Sequence, residues 1–300
     1  MAGHSSLRDL KKRQRSIDTA FQLSGAMKTV SAAKFSRCSI KRNAFGAYSS
    51  ACGELIRRFG SEISNFLPCK NPDAPACFVI FSSNRGLCGS FNNDLFTFSD
   101  QILSENPDAL VISCQKMASF HLKELHRDIF RETLLPDVPD ASGDAFAELC
   151  SVLRDGYLNG DFSSVTLIYQ KYVNMLTQTP VSESLLPLPA PVEETTSEKE
   201  GSVCDSQTSD FRDNELPPVC FPDKDSVLSS AADLCFRSAL FTVVLSAATG
   251  AQAATLMAMR AAYDNAEKTG REISIEISRM RQSAITSGVI ETSSDMHSDQ

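Results

Sequence analysis

The residues best placed to do chemistry stand together in Asn84–Asn92, NRGLCGSFN, directly after an apolar run. Glycines that follow a strand can turn backbone amides toward a phosphate. This run is neither GxGxxG nor GxxxxGKS/T. No lysine follows its glycines, and no acid sits at the offset a ribose needs. A tight turn whose glycines supply positive φ is the preferred reading, with a nucleotide site as the enzymatic alternative. Cys88, inside the turn, needs a histidine or basic partner to act as a nucleophile. His121 and His126 lie five apart on an expected helix and nothing in the sequence links them to Cys88. Cys88 therefore reads as a structural cysteine at or near the surface. His4 and His297 fall in end segments expected to fray.

The ten cysteines include no CxxC pair, and no His/Cys set has zinc-ligand spacing. They read as free, buried thiols of a reducing compartment. Paired carboxylates occur only inside an acidic stretch, where solvated charge is the default. No set of residues assembles a catalytic, cofactor or metal site. The chain reads as a non-enzyme.

Charge is distributed unevenly. The chain carries a net −8, yet residues 1–67 hold 12 Lys+Arg against 4 Asp+Glu, a net of +8. Residues 183–225 hold 11 acids against 3 bases, a net of −8. The basic cluster Lys11–Arg15 lacks interleaved aromatics, so an acidic protein partner or solvent is preferred over nucleic acid. No apolar run approaches the ~20 residues of a membrane span. The best is Ala239–Leu245, and residues 1–6 are too short for a targeting peptide.

Two long elements must position whatever the chain presents. All 13 prolines lie between Pro68 and Pro222. Proline breaks helix interiors, so its confinement leaves two long helical ends around a punctuated middle. Leu7–Phe66 is expected as one helix with a stripe of Leu10, Ile17, Phe21, Leu23, Met27 and Val30. The closing run from Asp223 is alanine-rich over Ala247–Ala262, with Leu228, Leu234, Leu240, Val244, Met257 and Ala261 on its apolar side. Arg271–Arg279 (REISIEISR) alternates with period two, but no turn residue other than Gly270 separates it from helical spacing, so it is assigned to the helix. Neither end can bury its stripe alone, and each is the obvious partner of the other.

Between them, Ala76–Ser82, Ala109–Cys114, Ser163–Tyr172 and Asn174–Glu183 read as strands. Asn93–Leu103, Gln115–His126 and Gly143–Leu158 read as helices. This alternation argues a largely parallel sheet. The expected fold class is α/β: a long antiparallel coiled coil with an inserted small Rossmann-like domain. Its parts are a coiled-coil helix at 1–67, an α/β foot domain at 68–190, an acidic low-complexity insert at 191–222, a coiled-coil helix at 223–292 and a frayed tail at 293–300.

Several segments, in order, carry a family pattern: LRDLKKRQRSIDTAFQLSGAMKTVSAAKF (Leu7–Phe35), SSNRGLCGSFN (Ser82–Asn92), MAMRAAYDNAEK (Met257–Lys268) and RQSAIT (Arg281–Thr286). VTLIYQKYVNMLTQTPVSESLLPL (Val165–Leu188) adds a weaker match. Together they resemble the γ subunit of the F-type ATP synthase over essentially the whole chain outside the acidic insert. The resemblance implies a central stalk that turns inside a ring of α and β subunits. Its foot meets the ε subunit and the c-subunit ring. The shaft binds no cofactor and cleaves no bond. It couples proton-driven rotation to the β catalytic sites, peripheral to the bacterial plasma membrane on its cytoplasmic side. By the same resemblance, Met27, Lys28, Cys88, Arg281, Gln282 and Thr286 contact β, and Arg85, Gly86, Leu87, Gly89 and Asn92 form the foot turn. The chain departs from the pattern at Gly250, Ala251 and Thr255, where the family has Ser-Glu and a following Arg, and at Ser287-Gly288, where it has Gln-Glu. These positions are expected to touch β. A γ-like coiled-coil adaptor outside the synthase is the alternative reading that the departures motivate.

Overall fold

The computed structural model describes residues 7–188, 221 and 223–298. The acidic insert expected at 191–222 lies outside the described residues apart from Phe221. Helix α1 spans Leu7–Ser64 and the last helix, α5, spans Lys224–Ser298. At 1.5 Å per residue they run about 87 Å and about 110 Å. Both are unbroken. The glycines of α1 and Gly270 of α5 interrupt neither, and α5 runs to Ser298, into the stretch expected to fray.

The seam between the two helices differs from the stripe read in the sequence. Leu23 is 58% exposed and Val30 52% exposed, so neither packs inside. The α1 seam is instead Leu10, Ile17, Ser24, Ser31, Cys38, Phe45 and Cys52. Leu10, Ser24, Ser31, Cys38 and Cys52 are buried, and Ile17 and Phe45 are partly buried. The spacing is seven throughout, the repeat that keeps one edge of a helix facing its partner in a left-handed supercoil. The repeat is hidden because serine and cysteine fill its middle. Small side chains there let the axes approach. The Ser24 hydroxyl donates to its own helix at the Phe21 carbonyl, so it needs no partner across the seam.

On α5 the matching edge is Met259, Tyr263, Ala266, Gly270, Ile273, Ile277 and Met280, alternating by four and three. Ile273 and Ile277 close on Leu10, whereas Ile275 is 54% exposed. The period-two pattern of REISIEISR is thus two seam isoleucines and one outward-facing one. Leu234, expected in the stripe, is 45% exposed, and Ala261 is exposed.

The inserted domain is a five-stranded sheet. Its elements are β1 (Ala76–Phe81), α2 (Phe91–Glu105), β2 (Leu110–Cys114), α3 (Lys116–Glu124), β3 (Arg131–Thr133), α4 (Asp144–Asn159), β4 (Ser164–Tyr172) and β5 (Gln178–Leu186). The strand order is β3-β2-β1-β4-β5, parallel except for the antiparallel β4–β5 pair. Strand β3 was not legible: RET has neither length nor an apolar pattern. Strand β5 starts later than expected because Asn174 turns the chain. Its Oδ1 accepts from the backbone N–H of Leu176 (2.9 Å) and of Thr177 (2.8 Å). Pro180 lies in β5, at the sheet edge, where a missing N–H is tolerated.

Each face of the sheet buries one cluster. Phe78, Ile80, Val111 and Ile168 pack under α2 and α3 through Leu95, Phe96, Leu103 and Leu122. The opposite face meets α4 and the lower shaft, with Val79, Phe81, Leu149, Leu153, Phe236, Leu240 and Val244 in one core. Part of α5 is apolar enough for a membrane span, with mean hydropathy 1.5, contrary to the sequence reading. But 78% of that window is buried inside the fold. It is the core helix of this joint.

Candidate functional site

The turn after β1 is braced from within. Asn92 donates from Nδ2 to Ser83 Oγ (2.8 Å) and to Cys88 Sγ (3.2 Å), and Ser83 Oγ donates to the Arg85 carbonyl (2.6 Å). Asn92 is 5% exposed and Cys88 3% exposed. Asn92 is therefore a lock for the turn and not an outward contact. Cys88 lies deeper than expected, packed with Phe91 and Ala251. What the turn presents is Arg85, Leu87 and Gly89, all exposed, with Gly86 half-buried. Leu87 is held at φ 64 with its side chain 60% exposed, and Gly89 at φ 62. Positive φ is easy for glycine and costly for leucine. An apolar side chain kept exposed in such a backbone marks a contact point. Asp94 occupies the first turn of α2. It takes up the positive end of the helix dipole and repels a phosphate there.

The departures at Gly250 and Ala251 sit at the joint between shaft and inserted domain, not on the outer surface expected of them. A Cβ on Gly250 would stand 3.3 Å from Phe91 Cε2 and 3.5 Å from the Gln170 carbonyl. Ala251 is 5% exposed against Cys88 and Phe91. Thr255 turns its hydroxyl back onto the Ala251 carbonyl at 2.8 Å. Small residues here let α5 lie directly on the turn.

A second tie crosses the joint on the α1 side. Lys34 Nζ lies 2.5 Å from Asp137 Oδ2, and Asn84 Nδ2 donates to Asp137 Oδ1 (2.9 Å) and to the Leu135 carbonyl (2.8 Å). Lys41 donates to the Pro139 carbonyl at 2.8 Å, and Arg42 lies over the Tyr172 ring, 4.5 Å from its centroid. Burial opposes ionisation of Asp137, but the hydrogen bonds from Lys34 and Asn84 outweigh it and hold its carboxyl below the ordinary value of 3.8. A carboxyl depressed on folding adds stability that is present above its unfolded pKa and lost as pH falls through the folded one. Acidification through and below pH 3.8 therefore loosens this joint. The expected result is faster amide exchange at 135–140 as pH falls, corrected for intrinsic rates, and a flatter profile in Asp137→Asn. No sequence signal marked Asp137: a loop acid has no period, and its partners are 103 and 53 residues away.

Higher on the shaft, Tyr263 stacks on Phe21 with centroids 4.3 Å apart, and Lys28 Nζ sits 3.7 Å from the Tyr263 centroid. Gly25 makes room, since a Cβ there would come within 3.1 Å of Tyr263 Cε2. Lys28 is half-buried and braces the seam, and Met27 is half-buried beside it. Arg281, Gln282 and Thr286 lie beyond the point where α1 begins, where every residue from 281 to 289 is exposed. The structure thus brings Met27, Lys28 and the Cys88 turn near the joint and mid-shaft, and separates Arg281, Gln282 and Thr286 from them at the tip.

That tip is basic. Arg8, Lys11, Lys12, Arg13 and Arg15 of α1 and Arg279 and Arg281 of α5 are all exposed. Residues 7–18 and 272–281 hold these seven bases against Asp9, Asp18, Glu272 and Glu276, a net of +3. Among the described residues, no three or more His, Cys, Asp or Glu are placed to hold a metal. The eight described cysteines are free. Burial pushes the Cys38 and Cys235 thiols up to about 11 and Cys77 to about 12, so these stay protonated and unreactive near neutral pH.

These features define a class: a two-helix shaft with an α/β domain at one end and a charged, exposed helical tip at the other. A family model described as ATP synthase matches residues 6–297. The ATP synthase gamma chain of Desulforamulus reducens is 27% identical over 291 residues, covering 96% of this chain and 96% of that one. The gamma chain of Staphylococcus carnosus is 28% identical over 295 residues, covering 95% and 96%. In a cryo-EM structure of the OSCP/F1/c-ring of the Euglena gracilis mitochondrial ATP synthase, one chain superposes with TM-score 0.63 at 17% identity, over 99% of this chain and 95% of that one. At that identity the superposition speaks for the fold. The chain belongs to the gamma-chain family of the ATP synthases.

Proposed function

We propose that this chain is the rotating central stalk of a proton-transporting F-type ATP synthase. Its foot, 68–190, couples to the c-subunit ring and ε. Its shaft, 1–67 and 223–292, turns within the α/β ring and drives the β sites through successive nucleotide affinities. It is a non-catalytic subunit, peripheral to a bacterial plasma membrane on the cytoplasmic side. The observation that carries this reading is the exposed tip. Among the described residues, α5 continues past Met280 from a basic collar, and Ile285 is exposed among polar neighbours. Such a surface is attracted by acidic levers through charge, which falls off gradually with distance, and has no continuous apolar patch to fix it in one orientation.

Contact with β is assigned to Met27, Lys28, Leu87, Arg281, Gln282 and Thr286. Leu87 takes the contact that the sequence reading gave to Cys88, because it is the exposed side chain of that turn. Affinity purification of the tagged chain from its own cells is expected to recover α, β and ε subunits. Expression in a strain lacking its γ subunit is expected to restore proton-coupled ATP synthesis. Good expression with neither result would favour the adaptor reading.

A further inference from the structure

Between α1 and the turn after β1 stands one carboxylate, bonded on both sides. Lys34 Nζ of α1 lies 2.5 Å from Asp137 Oδ2, and Asn84, at the start of the turn, donates from Nδ2 to Asp137 Oδ1 at 2.9 Å. We propose that Asp137 is a positioning residue for energy coupling: it fixes the Leu87 turn to α1, so that turn and shaft move as one body under load. The inference rests on the central-stalk reading.

The bridge has the properties that such a role needs. Burial opposes the charge on Asp137, but the hydrogen bonds from Lys34 and Asn84 outweigh it. Both are therefore charge-assisted bonds, which are roughly twice as strong as neutral ones. The Lys34 and Asp137 side chains are only 28% and 22% exposed, so salt screens this pair less than a surface pair. The backbone on either side is held as well. Cys38 Sγ donates to the Asp137 carbonyl at 3.4 Å, and Asn84 Nδ2 donates to the Leu135 carbonyl at 2.8 Å. From Asn84 the path enters the turn directly, since the next carbonyl, that of Arg85, accepts from Ser83, and Ser83 is itself gripped by Asn92.

On the α5 side the same turn is held by apolar packing. Cys88 and Phe91 meet Ala251 and the partly buried Ala254, and the Thr255 hydroxyl is spent on its own helix at the Ala251 carbonyl. Burial of small apolar side chains attracts without preferring a direction, whereas a hydrogen bond weakens steeply once bent below about 120°. Resistance of the turn to sliding along the shaft therefore falls on the α1 side. There, Lys41 lies on the same face of α1 as Lys34 and Cys38. It holds the same loop further on, at the Pro139 carbonyl (2.8 Å) and 3.6 Å from Asp140 Oδ2. Other bonds of Asp140 run forward, to the N–H groups of Ser142 and Gly143, away from the turn. Lys41 thus anchors the loop, and Asp137 alone of the two attachments continues to Asn84.

The test uses the assembled complex in sealed vesicles, with proton-driven ATP synthesis and uncoupled ATP hydrolysis measured on one preparation. Asp137→Ala and Lys34→Met are each expected to lower the ratio of synthesis to hydrolysis at least about fivefold, as loss of a charged hydrogen bond allows, with hydrolysis held within about twofold. The double variant is expected to do no worse than the more severe single one, because both remove the same bond. Lys41→Met is expected to leave the ratio unchanged. Synthesis and hydrolysis falling together in both single variants, an unchanged ratio in both, or an equal fall of the ratio in Lys41→Met overturns the proposal. An unaltered chain that supports neither rate sinks the central-stalk reading instead.

Discussion

Phe241→Ala is expected to lower the stability of the chain by about 3–5 kcal/mol, the range for emptying a buried aromatic site. Phe241 is 5% exposed at the lower shaft. Its ring meets Phe45 of α1 edge-on at 4.9 Å and Phe146 of α4 at 5.0 Å. One side chain thus ties both shaft helices to the inserted domain. Part of the loss is area removed from burial, and each aromatic pair adds about 0.5–1.5 kcal/mol. The checking measurement is urea unfolding of the single variants and of the double variant with Phe146→Ala. A coupling of about 0.5–1.5 kcal/mol between the two sites is expected, since they share a contact. Leu234→Ala is the control. At 45% exposure it is expected to cost under about 1 kcal/mol. Equal losses at Phe241 and Leu234 would show that the joint is not built as described.

The second large effect is electrostatic. Replacing Lys11, Lys12, Arg13 and Arg15 together by glutamate turns the tip count from +3 to −5, a change of four residues by two charges each. All four side chains are exposed, so the fold has little stake in them. If acidic levers of the α/β ring receive this end, attraction becomes repulsion. Steered association differs from unsteered by roughly 10–1000-fold at low salt. The expected result is an on-rate for the α/β ring lowered at least about tenfold, with the deficit shrinking as salt approaches 1 M, where the screening length falls to about 3 Å. Stopped-flow association across a salt series checks this. An on-rate that does not respond to the four reversals removes the charge argument for the tip.

Both effects bear on how a shaft can be stiff inside and slippery outside. The seam is closed by small residues and a few aromatic clamps, Phe21–Tyr263 high up and Phe45–Phe241 low down. The outer surface keeps charge, and its apolar residues there stand apart. Torque requires the first property, and turning past neighbours requires the second.

Much of this was determined by the sequence alone. Proline confined to residues 68–222 left two unbroken helices, because a proline ring cannot sit in a helix interior. The apolar runs ACFVIF and LVISC are buried strands, because only a sheet covered on both faces accepts continuous apolar residues. The absence of a lysine after Gly86 and Gly89 argued against a nucleotide loop before any geometry was known.

Tertiary structure decided what has no local period. The coiled-coil edge runs through Ser24, Ser31 and Cys38 and leaves Leu23 and Val30 outside. Hydrophobicity cannot reveal this, because closeness of the axes, and not apolarity, selects the small residues. Cys88 is buried against Ala251 of α5, a contact across more than 150 residues of chain, and Asn92 is turned inward by its hydrogen bonds to Ser83 and Cys88. The Asp137 tie likewise exists only once α1 meets the loop beyond the sheet. Local spacing is written by the helix and strand periods, whereas side-chain partners at long range are set by which faces pack.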